Sequence, residues 1–124
     1  MDEQLAMEEY LRQTVKENYE QQGDRINGML KPAFVSCSAA EKTTVKAYPV
    51  QDWQGNRYQV MHGGMVTTCI DNAMAMLGMY LSPSRSCTTL SMEVKFLRPV
   101  WPGDTLEVTT RAVKIGRASC RERV

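Results

Sequence analysis

The stretch HGGMVTTCID, residues 62–71, gathers residue types from which a reaction could be built. It holds the chain's one histidine, His62, then Gly63 and Gly64, and finally an aspartate, Asp71, inside an apolar run. Two glycines let a backbone turn sharply and let a ligand approach the main chain closely. A helix starting at that point presents unpaired N–H groups at its positive end, where a developing oxyanion can be held. Asp71 is the only formally charged side chain between Gly63 and Pro83. Burying a lone carboxylate is costly, so it needs partners or must titrate upward. Such an acid is either a structural acceptor for a neighbouring loop or a reacting group. His62 has two readings as well: a loop residue packed on the helix start, or part of a site. By helical rise Asp71 lies ~10–12 Å along the axis from the glycines. One subunit's helix then does not bring both to one carbonyl; a dimer offering Gly63 from one chain and Asp71 from the other would.

The elements that must position these residues follow from periodicity. Asp2 can cap a helix whose apolar face is Met7, Tyr10, Leu11, Thr14, Val15 and Asn18 or Tyr19, the spacing of an amphipathic helix lying on a larger body. Gly23 and GDRING end it. AFVSCSA and KTTVKAYPV read as two strands joined near Ala40–Glu41, and QDWQGNRYQ as a polar loop turning at Gly55–Asn56. From Gly64 to Leu81 the chain is apolar almost all round, which predicts a buried helix stopped by Pro83. Leu90, Met92, Val94 and Phe96 alternate with polar residues and predict a half-buried strand. RPVWPGD is a turn, and Leu106, Val108, Thr110 and Ala112 alternate again. The expected class is α+β, a mainly antiparallel sheet against one central helix.

At 124 residues the chain is long enough for a single core. Its 15 basic and 14 acidic residues leave a net charge of +1 without a basic stripe, so nucleic acid is a poor candidate partner. No apolar run is long enough to span a bilayer, and the acidic start MDEQLAMEEYL is unlike a signal or transit peptide. Cys37, Cys69, Cys87 and Cys120 lack metal-like spacing. A reducing, cytoplasmic setting is the economical expectation.

Asn56, His62-Gly63-Gly64, Asp71-Asn72, Thr89 and FLRPVWPGDTLEV together resemble hotdog-fold acyl-CoA thioesterases of the phenylacetate-pathway (PaaI-like) type, from about Ala33 to Lys114. HGG alone is a weak motif; with an aspartate nine residues after the histidine and the RPVWPGD strand connection it is strong. The resemblance implies a curved antiparallel sheet wrapped around the central helix. It implies hydrolysis of an acyl-CoA thioester to free acid and coenzyme A, with no cofactor beyond the coenzyme A of the substrate and no metal. Gly63 would supply the oxyanion-hole N–H, and Asp71 the general base or nucleophile across a homodimer interface, with a dimer of dimers as the larger assembly. Asn56 and His62 would orient the loop and the thioester carbonyl. Thr89 would position the attacking water, although a plain solvent-facing threonine fits that place too. Gly64, Met74, Leu77 and Phe96 are the expected substrate-binding residues. The alternatives are a non-catalytic acyl-CoA-binding hotdog module and a dehydratase on the same fold, whose usual motif is not seen.

The last ten residues, IGRASCRERV, lack the alternation before them and match, codon by codon, a translated sequencing adapter (ATC GGA AGA GCG TCG TGT AGG GAA AGA GTG). The expected organisation is therefore an N-terminal amphipathic helix and linker over 1–30, an incomplete hotdog domain over 31–114, and a non-native tail over 115–124. The resemblance places two further strands inside the sheet, so the fold is expected to lack its last two strands and leave backbone edges open.

Overall fold

The computed structural model describes residues 2–21, 23–82, 84, 86–114 and 119–123. Helix α1, Glu3–Gln21, starts where Asp2 accepts the Gln4 N–H, and buries Met7, Leu11, Val15 and Asn18 along one face. The stretch expected only to end α1 also forms one helical turn, α2, Ile26–Met29. Strands β1, Ala33–Ser38, and β2, Thr43–Pro49, pair antiparallel, with Ala33 opposite Ala47 and Ser38 opposite Thr43. The polar loop after β2 contains a short 3-10 turn, Asp52–Gln54, closed by reciprocal capping between Gln51 and Gln54. Helix α3, Gly63–Leu81, then crosses the sheet, and β3, Thr105–Lys114, pairs antiparallel with β2.

A single sheet in the order β1-β2-β3-β4 results, with β4, Ser119–Arg123, antiparallel to β3. β4 falls in the tail whose sequence reads as adapter. An exposed strand edge is a row of unpaired N–H and C=O groups, so the edge of β3 can template any extended segment that reaches it. The main core lies between sheet and α3: Tyr48, Leu106 and Val108 meet Val66, Cys69, Ile70 and Ala73. A second cluster forms where α1 covers the far end of α3, with Met7, Leu11 and Val15 against Met76 and Leu77.

Two expectations are corrected. First, 86–100 is not a strand. Alternation decides which side chains face inward, but a strand also needs a hydrogen-bonding neighbour, and no described strand pairs with this segment. Met92 and Val94 are half-buried on the core, while Leu90 is 97% and Phe96 58% exposed. The segment instead runs antiparallel along α3, touching it at three places: Cys87 at Gly78, Thr89 at Asp71, and Phe96 at Gly63. Second, α3 is not buried all round. Thr67, Thr68, Asp71, Ala75 and Met79 are only half-buried, a stripe left open beside the face that packs on the sheet.

Candidate active site

The N-terminus of α3 is built by His62, which caps it. The His62 backbone is extended, with φ −59° and ψ 134°, and its Nδ1 accepts the Gly64 N–H at 2.9 Å. With Nδ1 accepting, a neutral ring carries its proton on Nε2. The ring lies so close over Gly64 that a Cβ there would sit 3.1 Å from Nδ1, so a bare backbone is what admits the cap. The Gly63 N–H, first in the helix, has no acceptor among the described residues. A Cβ at Gly63 would lie 3.2 Å from the Phe96 ring.

Gly63 opens into a groove of about 1320 Å³. Val60, Met61, Val66 and Ile70 line one wall and the segment from Glu93 to Val100 the other, with Asp104–Glu107 at the end of β3's approach. The loop before the helix is held by Asn56, whose Oδ1 accepts the Tyr58 and Val60 N–H groups at 2.9 and 3.3 Å. A further bond, from the His62 N–H to the Gln54 carbonyl at 2.7 Å, ties the cap to the 3-10 turn.

Asp71 is half-buried, and its Oδ1 accepts a hydrogen bond from the Thr89 hydroxyl. That pairing serves a structural acid bonded to a neighbouring segment equally well as an acid and hydroxyl sharing a water. Neither residue lines the Gly63 groove. The chain therefore carries two separate groups of candidate residues: Gly63, Gly64, His62, Asn56 and Phe96 at the helix start, and Asp71 with Thr89 two turns on. Two expected pocket residues fall outside both. Leu77 is sealed beneath α1 in the second cluster, and Met74 leans on the main core; helical spacing carries both away from the groove face.

The structure adds a cluster that sequence reading passed over. The inward face of β2 is Thr44, Lys46 and Tyr48, all buried. Lys46 Nζ and the Tyr48 hydroxyl both donate to Asn72 Oδ1, at 2.7 and 2.6 Å, and Asn72 Nδ2 donates to Asn27 Oδ1 at 3.0 Å. Burial pushes the Lys46 ammonium down to about 7. Burial pushes the neighbouring Cys69 thiol up to about 12 and raises the Tyr48 phenol as well.

Residues 58–124 match the sequence profile of the thioesterase superfamily. The chain belongs to that superfamily. Its fold is the hotdog, a long helix held against an antiparallel sheet, with fewer strands than is typical. A phenylacetic acid degradation-related protein from Ralstonia eutropha JMP134 superposes with a TM-score of 0.75 at 24% identity, over 91% of this chain and 84% of that one. The E. coli PaaI protein from the phenylacetic acid degradation operon gives 0.64 at 25% identity, over 88% and 79%. A Streptococcus mutans UA159 protein bound to acetyl CoA gives 0.59 at 23% identity, over 74% and 76%. No functionally curated protein matches the chain in sequence. Among the described residues of this thioesterase-superfamily chain, no helix is long and apolar enough to cross a membrane.

Proposed function

We propose that the protein hydrolyses acyl-CoA thioesters in a homodimer, each site combining the α3 start of one protomer with Asp71 and Thr89 of the other. The observation that carries this reading is the Gly63 N–H at the positive end of α3, without an acceptor among the described residues and opening into the groove, with a carboxylate–hydroxyl pair two turns along the same helix. Superfamily membership supports the reaction class, and the acetyl-CoA held by the S. mutans relative supports the coenzyme. Asp71 takes a proton from a water that Thr89 holds, and the water oxygen bonds to the thioester carbon. Negative charge moves to the carbonyl oxygen, which the Gly63 N–H stabilises. Collapse breaks the carbon–sulfur bond, and the departing thiolate takes from Asp71 the proton that came from the water. His62, fixed as the cap, and Asn56, fixed in the loop, hold the backbone that presents this N–H.

The test is release of free thiol from acetyl-CoA, phenylacetyl-CoA and a long-chain acyl-CoA, followed by mixing two inactive variants. Asp71→Asn removes the base. Gly63→Pro deletes the N–H at a position where proline is favoured, and the extended His62 backbone already suits a following proline. Mixed dimers with shared sites regain one intact site, so activity returns toward half per mixed dimer. Silence on mixing would refute the shared site, and binding of all three thioesters without thiol release would refute hydrolysis.

A further inference from the structure

We propose that Lys46 and Tyr48 are positioning residues for Asp71, acting through the Asn72 carboxamide that both of them hold. The inference rests on the hydrolytic reading above. Asn72 joins the body of α3 to the sheet by side-chain hydrogen bonds from Lys46 and Tyr48. The remaining contact of α3 with the sheet is apolar, through Val66, Cys69, Ile70 and Ala73, and apolar burial is non-directional. Apolar packing restrains rotation by shape alone, and directional bonds add a restraint on the helix azimuth that such packing lacks. Two donors converging on one amide oxygen from β2 stop that rotation, because both lone pairs of Asn72 Oδ1 are spoken for and its nitrogen is held by Asn27.

Asp71 precedes Asn72 and has no comparable anchor. Among the described residues its one side-chain bond goes to Thr89, on a segment without strand pairing. A carboxylate stands roughly 5–6 Å from a helix axis, so a turn of about 10° moves it about 1 Å. Misplacement by about 1 Å can cost on the order of 100-fold in rate. An amine donates to Asn72 whether or not it carries its extra proton, so the anchor does not depend on the charge of Lys46. Keeping a fully buried lysine at this place, where an apolar residue would pack without desolvation, is the cost that the positioning role accounts for.

The test uses the full-length dimer with phenylacetyl-CoA, measuring kcat and KM for Lys46→Met, Tyr48→Phe, Asn72→Leu, Lys46→Met combined with Asn72→Leu, and Asp71→Asn. Lys46→Met is expected to lower kcat about tenfold or more with KM within about twofold, while its melting temperature rises. A residue that merely held the fold together would lose stability and activity in step. Tyr48→Phe, which removes one oxygen and keeps the ring, is expected to show the same split more weakly. The combined variant should be no slower than Asn72→Leu alone, because both act through one amide. Wild-type kcat in Lys46→Met and Tyr48→Phe, with Asp71→Asn inactive, overturns the positioning role and leaves hydrolysis standing. Wild-type turnover in Asp71→Asn overturns both.

Discussion

The buried ammonium of Lys46 makes the stability of this protein depend on pH in a way that one substitution removes. Lys46 is 1% exposed, and its contacts are an amide oxygen, the Tyr48 ring at 5.3 Å and the Cys69 thiol; among the described residues no carboxylate pairs with it. Its folded value of about 7 stands below the ordinary lysine value of about 10.4. Between these two the unfolded chain holds a proton that the folded chain has released. Stability therefore rises with pH across that window, by up to about 1.4 kcal/mol per unit. Cys69 acts the other way above the normal thiol range, since the fold holds its proton up to about 12. The clean interval is thus pH 7 to 8.5, where integration gives on the order of 1–2 kcal/mol per chain. Urea midpoints at fixed protein concentration should move up by roughly 1 M for the wild type. Lys46→Met should start higher at pH 7 and show no such rise. Parallel midpoints for the two proteins across this interval would show that no ammonium titrating near 7 is buried there.

Asp71→Asn should lower thioester turnover by about 10²–10⁴-fold while its thermal midpoint holds or rises, since a half-buried charge is removed. Gly63→Ala keeps the N–H but sets a methyl about 3.2 Å from the exposed Phe96 ring. KM should rise in the thiol-release assay with little loss of stability in urea unfolding. Leu77→Ala should cost about 2–5 kcal/mol in urea unfolding, because the side chain is wholly buried under α1, with KM unchanged in the folded fraction.

Much of this architecture was legible from periodicity. The stripe of Met7, Leu11 and Val15 seats α1, and the alternation of Leu106, Val108 and Thr110 gives β3 its inward face. The candidate residues at the start of α3 were legible because His62-Gly63-Gly64 announces a helix start by chemistry rather than by hydrophobicity. What failed did so for physical reasons. In β2, to which the alternation assigns no face, Thr44, Lys46 and Tyr48 point inward while Val45 and Ala47 are half-buried on the other side. Burying the large Tyr48 ring sets the register, and period two then carries Lys46 in with it. No local signal marks a lysine whose partner, Asn72, lies 26 residues away. The 90–96 alternation misled in the opposite direction, since inward and outward faces can be written into a sequence without the neighbour that makes a strand. Leu77 and Met74 share the apolar character of a pocket lining, and only the azimuth on α3 separates a residue under α1 from one facing a groove.

The half-buried stripe of α3 also fixes where the proposed two-fold axis must pass. If Gly63 of one protomer is to face Asp71 of its partner, antiparallel helices must cross at the midpoint of that interval, beside Thr67 and Thr68. Both hydroxyls are already satisfied within the helix, by the Gly63 and Gly64 carbonyls at 2.8 and 2.7 Å. Each threonine can therefore turn its methyl outward, and with Gly64 and Ala75 the stripe is small and apolar enough for close helix approach. A large charged residue at the axis meets its own copy, so its effect is doubled by symmetry. Thr68→Arg should give a folded monomer by size-exclusion chromatography and no thioester turnover, although Asp71, Thr89 and Gly63 are all intact. Full activity in a monomeric Thr68→Arg protein would mean that one protomer's helix serves the whole reaction, and the shared site would have to be abandoned.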